Sequence, residues 1–263
     1  MDKIEHEGEH GDGFRVHESK KRPRIRALHL YHDLMNLYGD WANTAVLARE
    51  VASRGYEAVI DRKSVGDDVD FEAYDFAYIG SGTERSQRAM MRDLSRHKTA
   101  LISRIEDGFH LLATGNAHEL FGRAVTDKDG GRYEALGLLD FETVQLHSRI
   151  TGDCVCKATF LPEQLIGFVN RAGGSQNGEI DRPFLHEMGP CAKGGSHGEG
   201  IQYKNVLGTY MTGPILMRNP PLLSYFADRL CPGSVSKHDE ADMFFKHQTS
   251  AYYMALAELS ARK

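Results

Sequence analysis

Apolar and polar positions in the first half of the chain fall into short alternating runs separated by stretches with helical spacing. The segment Arg24-Ile25-Arg26-Ala27-Leu28-His29-Leu30-Tyr31 alternates like a strand, with ordered structure starting at Ile25. Trp41, Ala45, Val46, Leu47 and Val51 then recur at helical spacing over residues 41–54, and Gly55 supplies the stop. Residues 56–60 predict a second strand and residues 74–79 a third, which runs into Gly80-Ser81-Gly82. Residues 84–97 predict a helix and residues 109–113 the next strand. This β-α-β alternation predicts an α/β fold: a doubly wound, mostly parallel sheet with helices on both faces. Ligands on such sheets sit beyond the carboxyl ends of the strands. Gly80-Ser81-Gly82 falls there, and so does the stretch Leu112-Ala113-Thr114-Gly115-Asn116-Ala117-His118-Glu119-Leu120-Phe121-Gly122.

The pattern changes from Tyr133 onward. Short strands are predicted over 136–139, 143–147, 154–160 and 165–170, followed by Gly-rich loops over 172–200. A helix over 219–230 begins near Asn219-Pro220. After Cys231-Pro232-Gly233, residues 239–262 predict an amphipathic helix with Met243, Phe244, Tyr252, Met254, Ala257 and Leu259 as apolar positions. The expected organisation is a disordered tail over 1–23, one domain over 24–230 and a helical extension over 231–263.

Composition narrows the function classes. The chain has 263 residues, 41% hydrophobic and 26% charged, which suits an ordinary globular protein. A net charge of −5 offers no footprint for nucleic acid. No run reaches the roughly 18–20 apolar residues of a membrane span. The start Met-Asp-Lys-Ile-Glu-His-Glu has no apolar signal region, so a cytoplasmic protein is expected. Cys154, Cys156, Cys191 and Cys231 lack zinc-site spacing and are expected as free thiols. His6 and His10 lie four apart, but Gly8 and Gly11 argue against the helix that would pair them on a metal. No metal and no cofactor is expected.

Candidate chemistry concentrates at residues 112–122. An apolar run followed by a sharp turn reads as an elbow of the kind that presents a nucleophile, with backbone N–H groups nearby for an oxyanion. This elbow carries no Cys, Ser or Asp nucleophile. The oxyanion or ligand candidates are Gly80, Ser81, Gly82, Asn116 and Glu119. Asn170 and Arg171 are pocket candidates, with Arg171 suited to a carboxylate.

Four segments together resemble the class I glutamine amidotransferase family of the CobB/CobQ type. They are His29-Leu30-Tyr31-His32-Asp33-Leu34-Met35-Asn36-Leu37-Tyr38-Gly39-Asp40, Ile79-Gly80-Ser81-Gly82-Thr83-Glu84-Arg85-Ser86-Gln87, Leu136-Gly137-Leu138-Leu139-Asp140, and Gly208-Thr209-Tyr210-Met211-Thr212-Gly213-Pro214 with Arg218-Asn219-Pro220. They occur in family order over about residues 25–230, and within the family they look most like the GatD-type small subunits. The resemblance implies a flavodoxin-like amidotransferase domain. It also implies a Mur-ligase-like synthetase partner in amidation of a cell-wall precursor, and a glutamine-like amide or carboxylate ligand. His32-Asp33 would lie at the partner interface or beside the pocket.

The departures from the family are specific. Its elbow is Cys-Gly-Gly-X-Gln-X-X-Gly. Aligning the last Gly on Gly122 puts Gly115 at the nucleophile and Glu119 at the Gln, and one inserted residue would put Thr114 at the nucleophile instead. The family's base is the His of Gly-Thr-Tyr-Leu-His-Gly, where this chain has Thr212. Amide hydrolysis needs a thiolate, and a His that activates it and protonates the leaving ammonia. The first expectation is therefore a catalytically degenerate subunit. The second is an active hydrolase using rearranged residues (Thr114, Thr212, His118 or Cys191). The third is a small-molecule-binding regulatory protein on the same fold.

Overall fold

The computed structural model describes residues 22–176, 185–187, 199–238 and 242–262. Residues 1–21 of the tail predicted over 1–23, Cys191 and most of the Gly-rich stretch lie outside the described residues.

A six-stranded sheet forms the centre. Its strands are β1 (Arg24–Leu30), β2 (Glu57–Lys63), β3 (Phe76–Ile79), β4 (His110–Thr114) and, late in the chain, β10 (Ile201–Tyr203) and β11 (Val206–Thr209). The order is β10-β11-β4-β3-β1-β2, with every pairing parallel except β10 with β11. Strand periodicity divides the buried residues between two faces. Ile25, Ala27, Phe76, Tyr78, Leu112 and Leu207 face one core, which includes Val46, Leu47 and Val51 of helix α1 (Trp41–Ser53) and Leu222, Leu223 and Phe226 of α5 (Pro220–Leu230). Leu28, Leu30, Ala77, Ile79, Leu111 and Ala113 face the other, with Met90, Met91 and Leu94 of α2 (Glu84–Leu94) and Leu101 and Ile105 of α3 (Lys98–Glu106). Helices on both faces make the sheet doubly wound, as the alternation predicts.

A second sheet follows the elbow. It runs β6-β5-β7-β8, from β5 (Ala124–Thr126), β6 (Arg132–Glu134), β7 (Glu142–Ala158) and β8 (Gln164–Gln176), with β9 (Leu185–Glu187) on β7. Its Cys154, Cys156, Leu165 and Val169 join the core shared with α5. Its outer residues Val155 and Ile166 are covered by Tyr252 of α6 (Met243–Ala261), whose hydroxyl donates to the Gln164 carbonyl at 2.6 Å. Between them, α4 (Ile215–Arg218) receives Gln248 of α6, which donates to the Met217 carbonyl at 2.9 Å. Among the described residues no helix is long and apolar enough to cross a membrane.

The structure departs from the sequence expectation in three places. The helix expected over 84–97 ends at Leu94, and a 3₁₀ turn over Ser95–His97 redirects the chain into α3, whose anchors Leu101 and Ile105 are too few to signal from sequence. Residues 136–139 are not a strand. Their amides instead bind the elbow, with Leu136 N–H donating to the Leu120 carbonyl at 2.8 Å and Leu139 N–H to the Phe121 carbonyl at 2.9 Å. Residues 143–147 and 154–158 belong to one long strand, which ends at Ala158 rather than Phe160; its register against β8 shifts between Gln145 and Ile150, where the exposed polar run had read as a break. The elbow itself opens into a 3₁₀ helix, Gly115–Phe121.

Candidate functional site

The carboxyl ends of β1, β3, β4 and β11 converge on one side of the sheet. There the loop after β1, Gly80–Gly82, the elbow and Thr212 meet the β8 residues Asn170–Gly173 around a narrow cleft. Its free volume is about 10 Å³, room for a single water.

The elbow is sharp because Gly115 has φ +60°, whereas Thr114 before it is extended at φ −119°. A side chain at 115 would be strained on conformation alone. It would also have no space. A Cβ there would fall on Ser81, inside contact distance of Oγ and 2.7 Å from Cβ. The neighbouring donor is taken too, since Gly82 N–H donates to Asn116 Oδ1 at 3.0 Å. Thr212 Oγ1 donates to the Phe168 carbonyl at 3.2 Å. Gly80 is packed where a Cβ would strike the Met35 carbonyl and Asp40, so close approach of the β1 loop requires glycine.

Beneath the elbow lies a buried polar cluster that the sequence reading missed. Asp40 is fully buried and precedes α1, yet makes no side-chain cap bond. Its carboxylate accepts instead from Tyr38 N–H (3.1 Å), Tyr78 OH (3.1 Å) and Thr114 Oγ1 (3.3 Å), with Ser81 Oγ at 3.5 Å. Asn43 Nδ2 donates to Tyr78 OH at 2.7 Å and fixes its orientation. Burial pushes the Asp40 carboxyl up, against these hydrogen bonds. Thr114 therefore satisfies side chains rather than backbone. An acid just before an apolar helix reads as a helix cap, which is why sequence gave no sign of this role.

The cleft floor is Glu119, 1% exposed. Gln87 Nε2 donates to its Oε2 at 2.7 Å and to the Asn116 carbonyl at 2.8 Å, and Gln145 Nε2 donates to Gln87 Oε1 at 2.9 Å. Burial lifts the Glu119 carboxyl to about 7, with Gln87, Tyr210, Gln145 and the Arg171 charge opposing. Arg171 lies 4.4 Å over the Tyr210 ring, and its buried Nε has no hydrogen-bond partner among the described residues. Asn170 donates to Tyr38 OH at 2.9 Å and accepts from Arg149 Nε at 2.6 Å. Arg149 also pairs with Glu84 at 2.6 Å, which ties α2 to the second sheet across the cleft.

The structure thus brings Ser81, Gly82, Asn116, Glu119, Asn170, Arg171 and Thr212 around one cleft, with Gly115 and Thr114 just behind. His118 faces away. Its buried ring packs edge-on against Tyr210 at 4.0 Å, and Nδ1 is 3.0 Å from the Gly115 carbonyl. Burial brings its pKa down to about 4, so it is neutral at physiological pH. Tyr38, Gln87, Gln145 and Arg149 are the further cleft-region residues that sequence reasoning did not pick out. Tyr38 and Gln87 belong to recognisable segments, whereas Gln145 and Arg149 carry no local signal.

The model of the CobB/CobQ-like glutamine amidotransferase domain matches residues 26–220. The chain is 32% identical over 211 residues to the lipid II isoglutaminyl synthase (glutamine-hydrolyzing) subunit GatD of Staphylococcus aureus, covering 79% of this chain and 86% of that protein. It is 32% identical over 205 residues to the subunit of the same name from Streptococcus pneumoniae, covering 76% and 77%. Among solved structures, a glutamine amidotransferase crystal structure aligns with TM-score 0.52 at 14% identity, over 78% of this chain and 98% of that one. PurLQS from Thermotoga maritima aligns with TM-score 0.52 at 12% identity, over 79% and 97%, and both support the fold alone.

Proposed function

Since the chain belongs to the CobB/CobQ-like glutamine amidotransferase family, we propose that it is a GatD-type subunit that has lost glutamine hydrolysis and serves an amidating complex as its structural and ligand-binding half. The partner in this reading is a Mur-ligase-like, ATP-using synthetase acting on a cell-wall precursor, by analogy with the relatives' named activity.

One observation carries the loss of hydrolysis. Gly115 is the left-handed residue at the elbow after β4, and Ser81 occupies the space its side chain would need. Glutamine hydrolysis requires attack of a thiolate on the amide carbon, an N–H pair to hold the oxyanion, and an acid to protonate the departing ammonia. Gly115 supplies no attacking atom. Gly82 N–H is spent on Asn116, and Thr212 is no proton shuttle at neutral pH. An oxyanion hole without its nucleophile retains a small part of the acceleration. What remains is recognition. Arg171 offers an unpaired donor beside Glu119, and Asn170 and Arg149 close the mouth.

In this reading the ligase takes ammonia from solution. The test is amidation by the co-purified pair with ammonium or glutamine as nitrogen source, together with glutamate release. Product with ammonium alone and no glutamate release is expected. Glutamate release above that of a Thr114→Ala/Thr212→Ala control would overturn the reading and point to a replaced dyad.

A further inference from the structure

On the far side of the elbow, the α2–α3 junction and the end of β6 enclose a separate cavity of about 170 Å³. Met91, Leu94, Leu120 and Leu136 form its apolar wall, each nearly inaccessible to solvent. Two exposed charged residues, Lys98 and Glu134, stand at its mouth. They are not equivalent. Glu134 lies 3.7 Å from Arg132, whose guanidinium is hydrogen-bonded to Glu142 at 3.0 and 3.1 Å, whereas Lys98 has no ion pair or hydrogen bond among the described residues.

Elementary packing physics says what such a space accepts. A cavity of about 150 Å³ lined by aliphatic side chains stays dry and takes up benzene, because its walls lack partner atoms. A ring or branched alkyl group fits the floor here. The unpaired ammonium at the mouth then selects an anionic head over a neutral or cationic one. We propose that this cavity is a second ligand site, taking a small apolar carboxylic acid with its ring in the cavity and its carboxylate on Lys98.

The site is wired to the cleft. Leu120 adjoins Glu119 on the elbow, and Met91 lies one turn beyond Gln87 on α2. Gln87 is the residue that holds both Glu119 and the Asn116 carbonyl. A ligand pressing on Met91 and Leu120 therefore acts on the two elements that set the cleft floor. This inference does not depend on the ligase reading, and its test needs no partner.

The experiment is fluorine NMR titration of the full chain with 4-fluorophenylacetate and, as neutral isostere, 4-fluorophenylethanol. The acid is expected to bind at least fivefold more tightly than the alcohol. Lys98→Gln should erase that preference, and Leu136→Trp should abolish binding of both by filling the cavity. Ala135→Phe fills the same space from another position if Leu136→Trp does not fold. Coupling to the cleft is read in the Gln87 side-chain amide resonance, which should shift with the acid. Absence of binding, equal affinity for acid and alcohol, a preference surviving Lys98→Gln, or binding that survives a folded filling variant would each overturn the site. A Gln87 resonance that stays in place would overturn the coupling.

Discussion

At Gly115, backbone conformation and space forbid a side chain independently. Gly115→Cys should therefore destabilise the protein by about 2–4 kcal/mol, combining left-handed strain with overpacking against Ser81. Urea unfolding checks this, and Ser81→Gly in the same chain should recover the overpacking part. A Gly115→Cys variant as stable as the parent would mean that the elbow is not closed by Ser81. Glu119 makes the second prediction at this scale. Its carboxyl titrates near 7 in the folded protein against about 4.5 in the unfolded chain, so the native state keeps a proton that the unfolded state has lost. Its contribution to stability is complete below about pH 4.5 and is lost as pH rises to about 7. Glu119→Gln, which keeps the shape without the charge, should thus match the parent at pH 4.5 and exceed it by up to about 3 kcal/mol at pH 8. His29 and His118 act in the opposite sense. Burial holds both near 4, so they contribute above about pH 6.5 and withdraw that stability as pH falls to 4. In urea titrations the acid limb should be the same in both proteins and only the alkaline limb should differ.

The elements show which patterns are self-sufficient. The last helix was legible as an element but not in its face: of its expected apolar positions Met243 and Met254 are exposed, and Phe245, Gln248 and Tyr252 are the buried ones. Helices α1 and α5 were legible because each carries an apolar stripe long enough to register in one dimension. Helix α3 was not, since Leu101 and Ile105 are its only buried anchors. The long strand β7 was read as two because its middle faces solvent on both sides as it shifts register against β8. Helix α6 gives the test at this scale. Tyr252 covers Val155 and Ile166 and ties its hydroxyl to the β8 backbone. Tyr252→Ala should cost about 3 kcal/mol in denaturant unfolding, and a value near zero would mean that the helix is not docked on the second sheet.

For the whole molecule, the same end of the sheet that holds the cleft also carries exposed apolar side chains. Leu37 and Trp41 are 53% and 54% exposed, Leu37 on the loop whose Tyr38 lines the cleft and whose Leu37 N–H is bound by the Ser81 carbonyl at 2.9 Å, and Trp41 at the start of α1 that follows it. A synthetase subunit engaging the cleft would cover them. If the proposed synthetase pairing holds, Leu37→Glu/Trp41→Glu should leave thermal stability unchanged while abolishing co-purification with that subunit. Retained co-purification would place the partner elsewhere.

The sequence by itself determined the layered α/β fold, the family and the place of the elbow. These rest on local periodicity and on short segments whose residues are neighbours in the chain. It also showed that positions 114, 115 and 212 carry no thiol and no imidazole, because residue identity is a one-dimensional fact. Only the tertiary structure decided what fills the elbow. Ser81 lies thirty-four residues from Gly115, and Asp40 seventy-four from Thr114, so their meeting depends on parallel crossovers that bring distant loops to one sheet edge. The same holds for the raised carboxyl of Glu119 and for the cavity beside Lys98. Burial is produced by everything packed around a group, and no local pattern encodes it.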